Sequence, residues 1–411
     1  MSNSFETMLS VDDACERIRA IAAKRGTQTE KVPLENAVGR ILAGDISAPF
    51  DVPGYINSAM DGFAVRGSDL IAGGETTLRL AGEIFAGGAD IPKVEHGACV
   101  RITTGAPMPA DADTVVMKEN TRIVGNNIVM LSGTAPGANV RPAGEDYAKD
   151  DAALMRGDTL TPSRVAVLAS FGFTHATVAA QPRTVLFTTG DELTAPGTAL
   201  SYGRIYDSNH FSIGGLIEQH GARLIRHERL RDDPDLLVAE LTRAGDENDV
   251  IVTSGGVSAG EADYLPRILE EIGKVYFWKV RMKPGMPFLF GQVGNALMFA
   301  LPGNPASGIA TFLALVAPAL RTMLGANDAI PELFAKLTAP IAKRHGRAEF
   351  QRARITCSSE GQLFARALAK QGSGMLRSAA DADAVIVLPE GPREFAAGDV
   401  VRVIPMPGWP T

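Results

Sequence analysis

The stretch that most constrains this chain is Asp249-Val-Ile-Val-Thr-Ser-Gly-Gly-Val-Ser-Ala-Gly-Glu-Ala-Asp263. Its apolar, β-branched run from Val250 to Val252 predicts a strand buried on both faces, as in a parallel sheet. Thr253, Ser254, Gly255, Gly256 and Gly260 follow. Such small residues allow a tight turn and let a ligand reach main-chain N–H groups. Leu265, Ile268, Leu269 and Ile272 then recur at helical spacing. In an open α/β sheet, a strand–loop–helix unit of this kind places its ligand crevice at the carboxyl end of the strand, and helix N-termini favour anions. Glu261 and Asp263 beside a phosphate cradle point to a divalent cation bridging carboxylate and phosphate. The loop matches neither GxGxxG nor a Walker loop, and alone it fits a structural turn as well as a ligand loop.

The surrounding chain has the pattern of an α/β multidomain protein. Its 411 residues allow roughly two to four domains. From Pro182 onward, strands and helices alternate: Val185 to Phe187, Asn209 to His220, Arg223 to Leu230, a helix after Arg231-Asp-Asp-Pro234, the central stretch with its helix, then Val275 to Val280. Alternation of this kind predicts a three-layer parallel-sheet domain, covered on both faces, over 182–326. Residues 9–25 predict one helix, with Ser10 as N-cap and Gly26 as stop. Short apolar runs broken by Gly, Pro and Asn make 51–146 a β-rich insert, with a hairpin turn at Asn126-Asn127. The flanking segments, 1–50 and 147–181, are assigned to one discontinuous N-terminal mixed or helical stalk. Residues 327–411 predict a small all-β, barrel-like domain.

Net charge is −7, which argues against a general nucleic-acid binder. Three widely spaced cysteines offer neither a disulfide framework nor zinc spacing, and six histidines show no paired metal motif. The first residues, Met1 to Glu6, lack the basic region and apolar core of a signal peptide, so a cytoplasmic location is expected. The most membrane-like run, Ile309 to Leu320, is too short to span and predicts a buried core helix instead. Asn304 and Pro305 are suited to start that helix, making a second anion-favouring N-terminus.

Acidic residues recur after the predicted strands: Asp191-Glu192, Asp232 and Asp263. Strand ends converge on one edge of a parallel sheet, where gathered carboxylates repel unless a cation is present. Lys279 and Lys283 supply positive charge nearby in sequence. With no His/Cys set, a hard Mg²⁺ ion held by carboxylates and substrate phosphates fits better than zinc. In the insert, Asp61-Gly62 reads on spacing alone as a turn.

At this point the motifs converge on a known family. Pro53-Gly-Tyr-Ile-Asn-Ser-Ala-Met-Asp-Gly-Phe-Ala-Val65, Thr104-Gly-Ala-Pro107, Gly144-Glu-Asp146, Thr189-Gly-Asp-Glu-Leu193, Ser254-Gly-Gly-Val-Ser-Ala-Gly-Glu-Ala-Asp-Tyr264 and Leu301-Pro-Gly-Asn-Pro305 resemble those of the MoeA family. These are molybdopterin molybdenumtransferases, related to the gephyrin E domain and plant molybdenum insertases. The resemblance runs in collinear order over nearly the whole chain. It implies a MogA-like α/β domain within a four-domain homodimer. The implied activity is Mg²⁺-dependent cleavage of adenylylated molybdopterin, with AMP release and transfer of molybdate into the dithiolene. It implies metal or pyrophosphate handling by Asp191, Glu192, Asp232 and Asp263, and a cross-subunit contribution from Asp61, Thr104 and Asp146. Lys279 and Lys283 match basic positions, and Ser254, Gly255, Gly256, Pro302 and Pro305 match the pterin-phosphate loops. Ser307, Arg352 and Ser373 match oxyanion-associated positions. The partners implied are a second copy of the chain and, transiently, the adenylyltransferase and apo-molybdoenzymes; neither nucleic acid nor membrane is expected.

One position departs from the family pattern. The family often reads Lys-Pro-Gly-Lys-Pro where this chain has Lys283-Pro-Gly-Met286-Pro287. A thioether cannot replace an ammonium donor, so a higher molybdate requirement is expected. Two other readings compete. An adenylyltransferase would share the α/β domain but needs neither insert nor C-terminal domain. A gephyrin-like scaffold would use further domains and a linker not present in this sequence.

Overall fold

The computed structural model describes residues 5–88, 90–257, 264–327 and 332–406. At its centre is a seven-stranded sheet in the order Glu6–Leu9, Gly273–Val280, Leu289–Val293, Ala296–Leu301, Val250–Ser254, Arg183–Thr189, Arg223–Leu230. Neighbours from 296–301 to 223–230 run parallel. The expected parallel sheet is interrupted only at 289–293, which runs against both neighbours. The interruption arises because 289–293 and 296–301 form a hairpin around Gly294-Asn295, and a two-residue turn can join only antiparallel strands.

Alternating side chains along each strand feed two cores. Leu186, Val252, Phe299 and Leu301 pack with the helices Val11–Ala23, Asn209–Gln219 and Pro305–Met323. Val185, Phe187, Ile251 and Met298 pack with the helices Pro234–Glu247 and Leu265–Ile272. Three layers result, and Val250–Ser254 is buried along its whole length.

The Pro305–Met323 helix, at 19 residues, is long and apolar enough to cross a membrane, but 78% of its most apolar stretch is buried. It is the core helix expected from its composition. Its middle turn, Phe312–Val316, is π-helical. Pro318 follows two residues later, lacks an N–H and would crowd the carbonyl four residues back, that of Ala314, so the widened turn accommodates it.

The chain start departs from the expectation. Glu6–Leu9 pairs parallel with 273–280, and Ser10 caps the next helix by accepting from Asp13 N at 3.0 Å. Ala14, Ile18 and Ala22 of that helix are buried in the sheet's core. This apolar stripe attaches residues 6–23 to the α/β unit instead of to the stalk. The stalk itself pairs Thr29–Pro33 with His175–Ala179 and Ile46–Ser47 with Ala152–Leu154 around Val32, Leu42, Leu160 and Leu168.

The insert is a six-stranded sheet, 114–117, 62–65, 98–102, 76–84, 127–130 and 121–124. Its hairpin turns one residue earlier than expected. Val124 faces Asn127, so Gly125-Asn126 forms the loop, and the left-handed φ of +60° falls on glycine. At the C-terminal end, 348–357, 363–367, 333–337, 400–405 and 384–388 close into a five-stranded barrel through pairing of 384–388 with 348–357. Met282-Lys283 adds to the barrel strand 348–357, which ties barrel to sheet.

Candidate functional site

The glycine loop sits at the carboxyl end of the central strand. Ser254 lies opposite Leu301 on one side and Thr188 on the other. Gly255 has φ +106°, and a Cβ there would lie 2.5 Å from the Thr189 carbonyl oxygen. Only glycine lets these two loops approach so closely. Asn209, at the start of the 209–219 helix, brackets the floor. Its side-chain amide donates to Ser254 Oγ at 2.7 Å and to the Gly303 carbonyl at 2.7 Å, just past Pro302. Thr189 Oγ1, Thr253 Oγ1 and Asn209 Oδ1 are buried without hydrogen-bond partners, so the floor retains polar atoms unmatched by protein. Pro305 opens the 305–323 helix beside this floor, but Asn304 caps it with no side-chain bond.

Three adjacent parallel strands end at this edge. Asp191 and Glu192 lie exposed just beyond 183–189, and Asp232, half-buried, lies just beyond 223–230. Asp263, with Glu261, falls outside the described residues. Arg204 donates to the Asp191 carbonyl at 2.6 Å, which fixes the turn that carries both acids. Asp191, Glu192 and Asp232 do not form a three-donor group of metal-binding size by themselves among the described residues. Lys279 has a left-handed φ of +65°, with Nζ 4.0 Å from the centre of the Trp278 ring. Trp278 Nε1 in turn donates to the Val257 carbonyl, linking Lys279 to the glycine loop.

A second group forms where barrel meets sheet. Lys283 pairs with Glu349 Oε1 at 3.0 Å, and His345 Nε2 lies 3.1 Å from Glu349 Oε2. Burial raises the Glu349 carboxyl, but the Lys283 hydrogen bond and charge, with His345, outweigh it and hold it below its ordinary value. Arg352, 4% exposed, donates to the Gly372 carbonyl at 3.1 Å, and its Nε has no partner. Burial lowers its pKa. Ala306 N donates to the Ser373 carbonyl at 3.0 Å, and Ser307 follows on the same helical turn, 3% exposed. Ser307, Arg352 and Ser373 are thus gathered at one helix start, against the barrel. A guanidinium buried there without a carboxylate suits an anion.

The insert holds its own pair. Asp61 Oδ1 accepts from Thr104 N and Thr104 Oγ1, each at 2.9 Å, and Lys118 Nζ lies 3.5 Å from Oδ2. The Thr104 backbone bond, then its hydroxyl bond, hold the Asp61 carboxyl below the ordinary range. Asp61-Gly62 does end a turn, and its acid is also an organised acceptor. Asp146 is exposed and its N–H donates to the Val52 carbonyl at the insert's root.

Sequence reasoning passed over Asn209, Asp207 and Glu349. The polar triplet Asp207-Ser208-Asn209 opening a helix was the available signal for the first two. Glu349 carried no signal, since its meaning depends on the register that sets it opposite Lys283.

The chain matches three family models in order: the MoeA N-terminal region (domain I and II) over 9–172, a probable molybdopterin binding domain over 185–322, and the MoeA C-terminal region (domain IV) over 335–406. It is 37% identical over 382 residues to the molybdopterin molybdenumtransferase of Haemophilus influenzae, covering 92% of this chain and 94% of that protein. The chain belongs to the MoeA family. Molybdopterin molybdenumtransferase 2 of Mycobacterium tuberculosis is 34% identical, with 90% and 94% covered. The crystal structure of the Pyrococcus horikoshii OT3 molybdopterin biosynthesis moeA protein superposes with a TM-score of 0.83 at 29% identity, over 97% of this chain and 99% of that one. A MoeA fold, with its MogA-like domain and C-terminal barrel, therefore accounts for the architecture described above, and the chain is a transferase of molybdenum cofactor biosynthesis.

Proposed function

We propose that this MoeA protein inserts molybdenum into molybdopterin by a Mg²⁺-dependent route. Adenylylated molybdopterin binds, water hydrolyses its phosphoanhydride to release AMP and leave the pterin phosphate, and molybdate enters the dithiolene as one oxide leaves as water with the two thiol protons. The observation carrying this reading is the meeting, at one sheet edge, of a glycine floor with unmatched polar atoms and the acids Asp191, Glu192 and Asp232. The Ser254-Gly255-Gly256 loop and the turn at Pro302 border the pterin phosphate; the Gly255 N–H is already donated to the Leu301 carbonyl at 3.0 Å, so the Gly256 N–H is the loop's donor to it. Asp191, Glu192, Asp232 and Asp263 would hold Mg²⁺, which supplies charge neutralisation at the phosphoanhydride. Lys279 offsets developing negative charge. Lys283, Ser307, Arg352 and Ser373 receive molybdate.

In this reading the working unit is a cytoplasmic homodimer. Asp61, Thr104 and Asp146 of one copy complete the site on the sheet edge of the other. Contacts with the adenylyltransferase and with apo-molybdoenzymes are transient.

The test is reconstitution of an apo-molybdoenzyme with purified protein, adenylylated molybdopterin and molybdate, with and without Mg²⁺, following AMP. Release of AMP only with Mg²⁺, coupled to enzyme activation, supports the reading. Adenylylation of free pterin from ATP, or activation unaffected by Glu192→Gln and Asp263→Asn, overturns it. Mixing Asp61→Asn with Glu192→Gln protein tests the shared site, because only a dimer exchanging these residues regains one intact site. A strictly monomeric, fully active protein would refute that part.

A further inference from the structure

We propose that Asp207, His210 and His227 form a binding site for one divalent transition-metal ion of the zinc, cobalt and nickel class, distinct from the acidic sheet edge. One potential ligand atom from each residue lies within 4.8 Å of the others. A tetrahedral ion with ligands near 2.0–2.2 Å needs donors on the order of 3.4 Å apart, so the set contracts when an ion binds.

Two features separate this group from a chance cluster. Asp207 is 4% exposed and already oriented: Thr188 Oγ1 donates to Oδ2 at 2.6 Å, and His210 N donates to Oδ1 at 3.1 Å. The Thr188 bond comes from outside the ligand set and aims the carboxylate, while the His210 N–H bond ties Asp207 to the helix start; each oxygen keeps a lone pair. Second, Nε2 of His227 is buried and has no hydrogen-bond partner.

The donor chemistry selects the ion. Two imidazoles and a carboxylate suit borderline metals, while the all-oxygen set at Asp191, Glu192 and Asp232 suits Mg²⁺. The ion would join the first turn of the 209–219 helix to the edge strand 223–230. Asn209, which brackets Ser254 and Gly303, stands between two of the ligands. The site is therefore structural, stiffening the mount of the glycine floor.

The experiment uses the untagged full chain, stripped with chelator and titrated with Co²⁺ while visible ligand-field absorption is followed. One Co²⁺ per chain is expected, displaced by Zn²⁺ but not by excess Mg²⁺, with a rise in Tm on Zn²⁺ addition. His227→Gln and His210→Gln should each weaken binding at least tenfold, and Glu192→Gln should bind as the parent does. Absence of stoichiometric Co²⁺ binding, equal binding by both histidine variants, or loss of binding in Glu192→Gln would overturn the proposal. Circular dichroism monitors folding of each variant. His210 lies on the first turn of its helix and is partly exposed, so His210→Gln decides the matter if His227→Gln does not fold.

Discussion

Asn209 donates to Ser254 Oγ at 2.7 Å, from a helix 45 positions earlier in the chain, with both residues buried. The same amide holds the Gly303 carbonyl, so one side chain sets the spacing between two loops. Asn209→Ala removes the donor from both acceptors. Each buried group left unpaired costs about 1–3 kcal/mol. Denaturant unfolding should show a loss of about 2–6 kcal/mol for the two acceptors together, and AMP release should fall further than stability does, because the floor loses its registration. Wild-type AMP release at normal substrate affinity would contradict this role.

Gly255 makes a sharper test of the same floor. Its φ of +106° belongs to a region essentially confined to glycine, and a Cβ would meet the Thr189 carbonyl at 2.5 Å. Gly255→Ala should cost about 1–3 kcal/mol in backbone strain, before any steric contact is counted. Displacing the loop by an ångström should reduce activity on the order of 100-fold. Gly39→Ala offers a control: its φ is also positive at +82°, but nothing lies within 4 Å of its Cβ. It should lose stability and keep activity, as measured by thermal unfolding and AMP release side by side.

The contrast between these loops and the edge cluster explains what was legible in the sequence. Val250 to Val252 announced a doubly buried strand because a parallel sheet removes the alternation that marks a half-exposed one. The alternation of strands and helices after Pro182 carried the three-layer order for the same reason. Two features were not legible. The strand Glu6–Leu9 is too short and too mixed in character to signal membership of a sheet whose other strands begin past residue 182. Glu349 and Lys283 meet only because a barrel strand pairs with Met282-Lys283, and pairing across such a separation leaves no local trace. The motif glycines were readable as a turn; that they allow loop to touch loop became visible only with Thr189 in place.

Asp61 and Thr104 predict a pH response. Two hydrogen bonds from Thr104 depress the Asp61 carboxyl pKa below its unfolded value. The contribution of this pair to stability is therefore present above the ordinary carboxylate range and lost as pH falls through the lowered pKa. Thr104→Val removes the hydroxyl bond and keeps the backbone one, so the Asp61 pKa should rise part-way toward 3.8. Carboxyl carbon chemical shifts titrated between pH 2 and pH 6, a range set roughly by ordinary Asp values, would read it. An Asp61 midpoint indifferent to Thr104→Val would remove the hydroxyl from this account.

Met286 stands where the family resemblance leads one to expect lysine, and its backbone is held independently of its side chain. Its carbonyl accepts from Val280 N and from Phe288 N, each at 3.0 Å. Gly285 before it is fixed as glycine, since a Cβ there would lie 2.4 Å from Thr311 Cγ2. Exchange of the Met286 side chain therefore leaves the turn in place and isolates the chemistry. Methionine offers no N–H donor and no charge, whereas an ammonium offers three donors. A hydrogen bond to a charged group contributes about 1.5–3 kcal/mol, or roughly tenfold or more in affinity. Met286→Lys should then lower the molybdate concentration for half-maximal cofactor formation by about that factor, with AMP release and pterin affinity little changed. Lys283 is engaged by Glu349 at 3.0 Å, which leaves it less free to compensate. A Met286→Lys protein with the same molybdate requirement as the parent would mean that the buried Arg352 already supplies the charge the oxyanion needs.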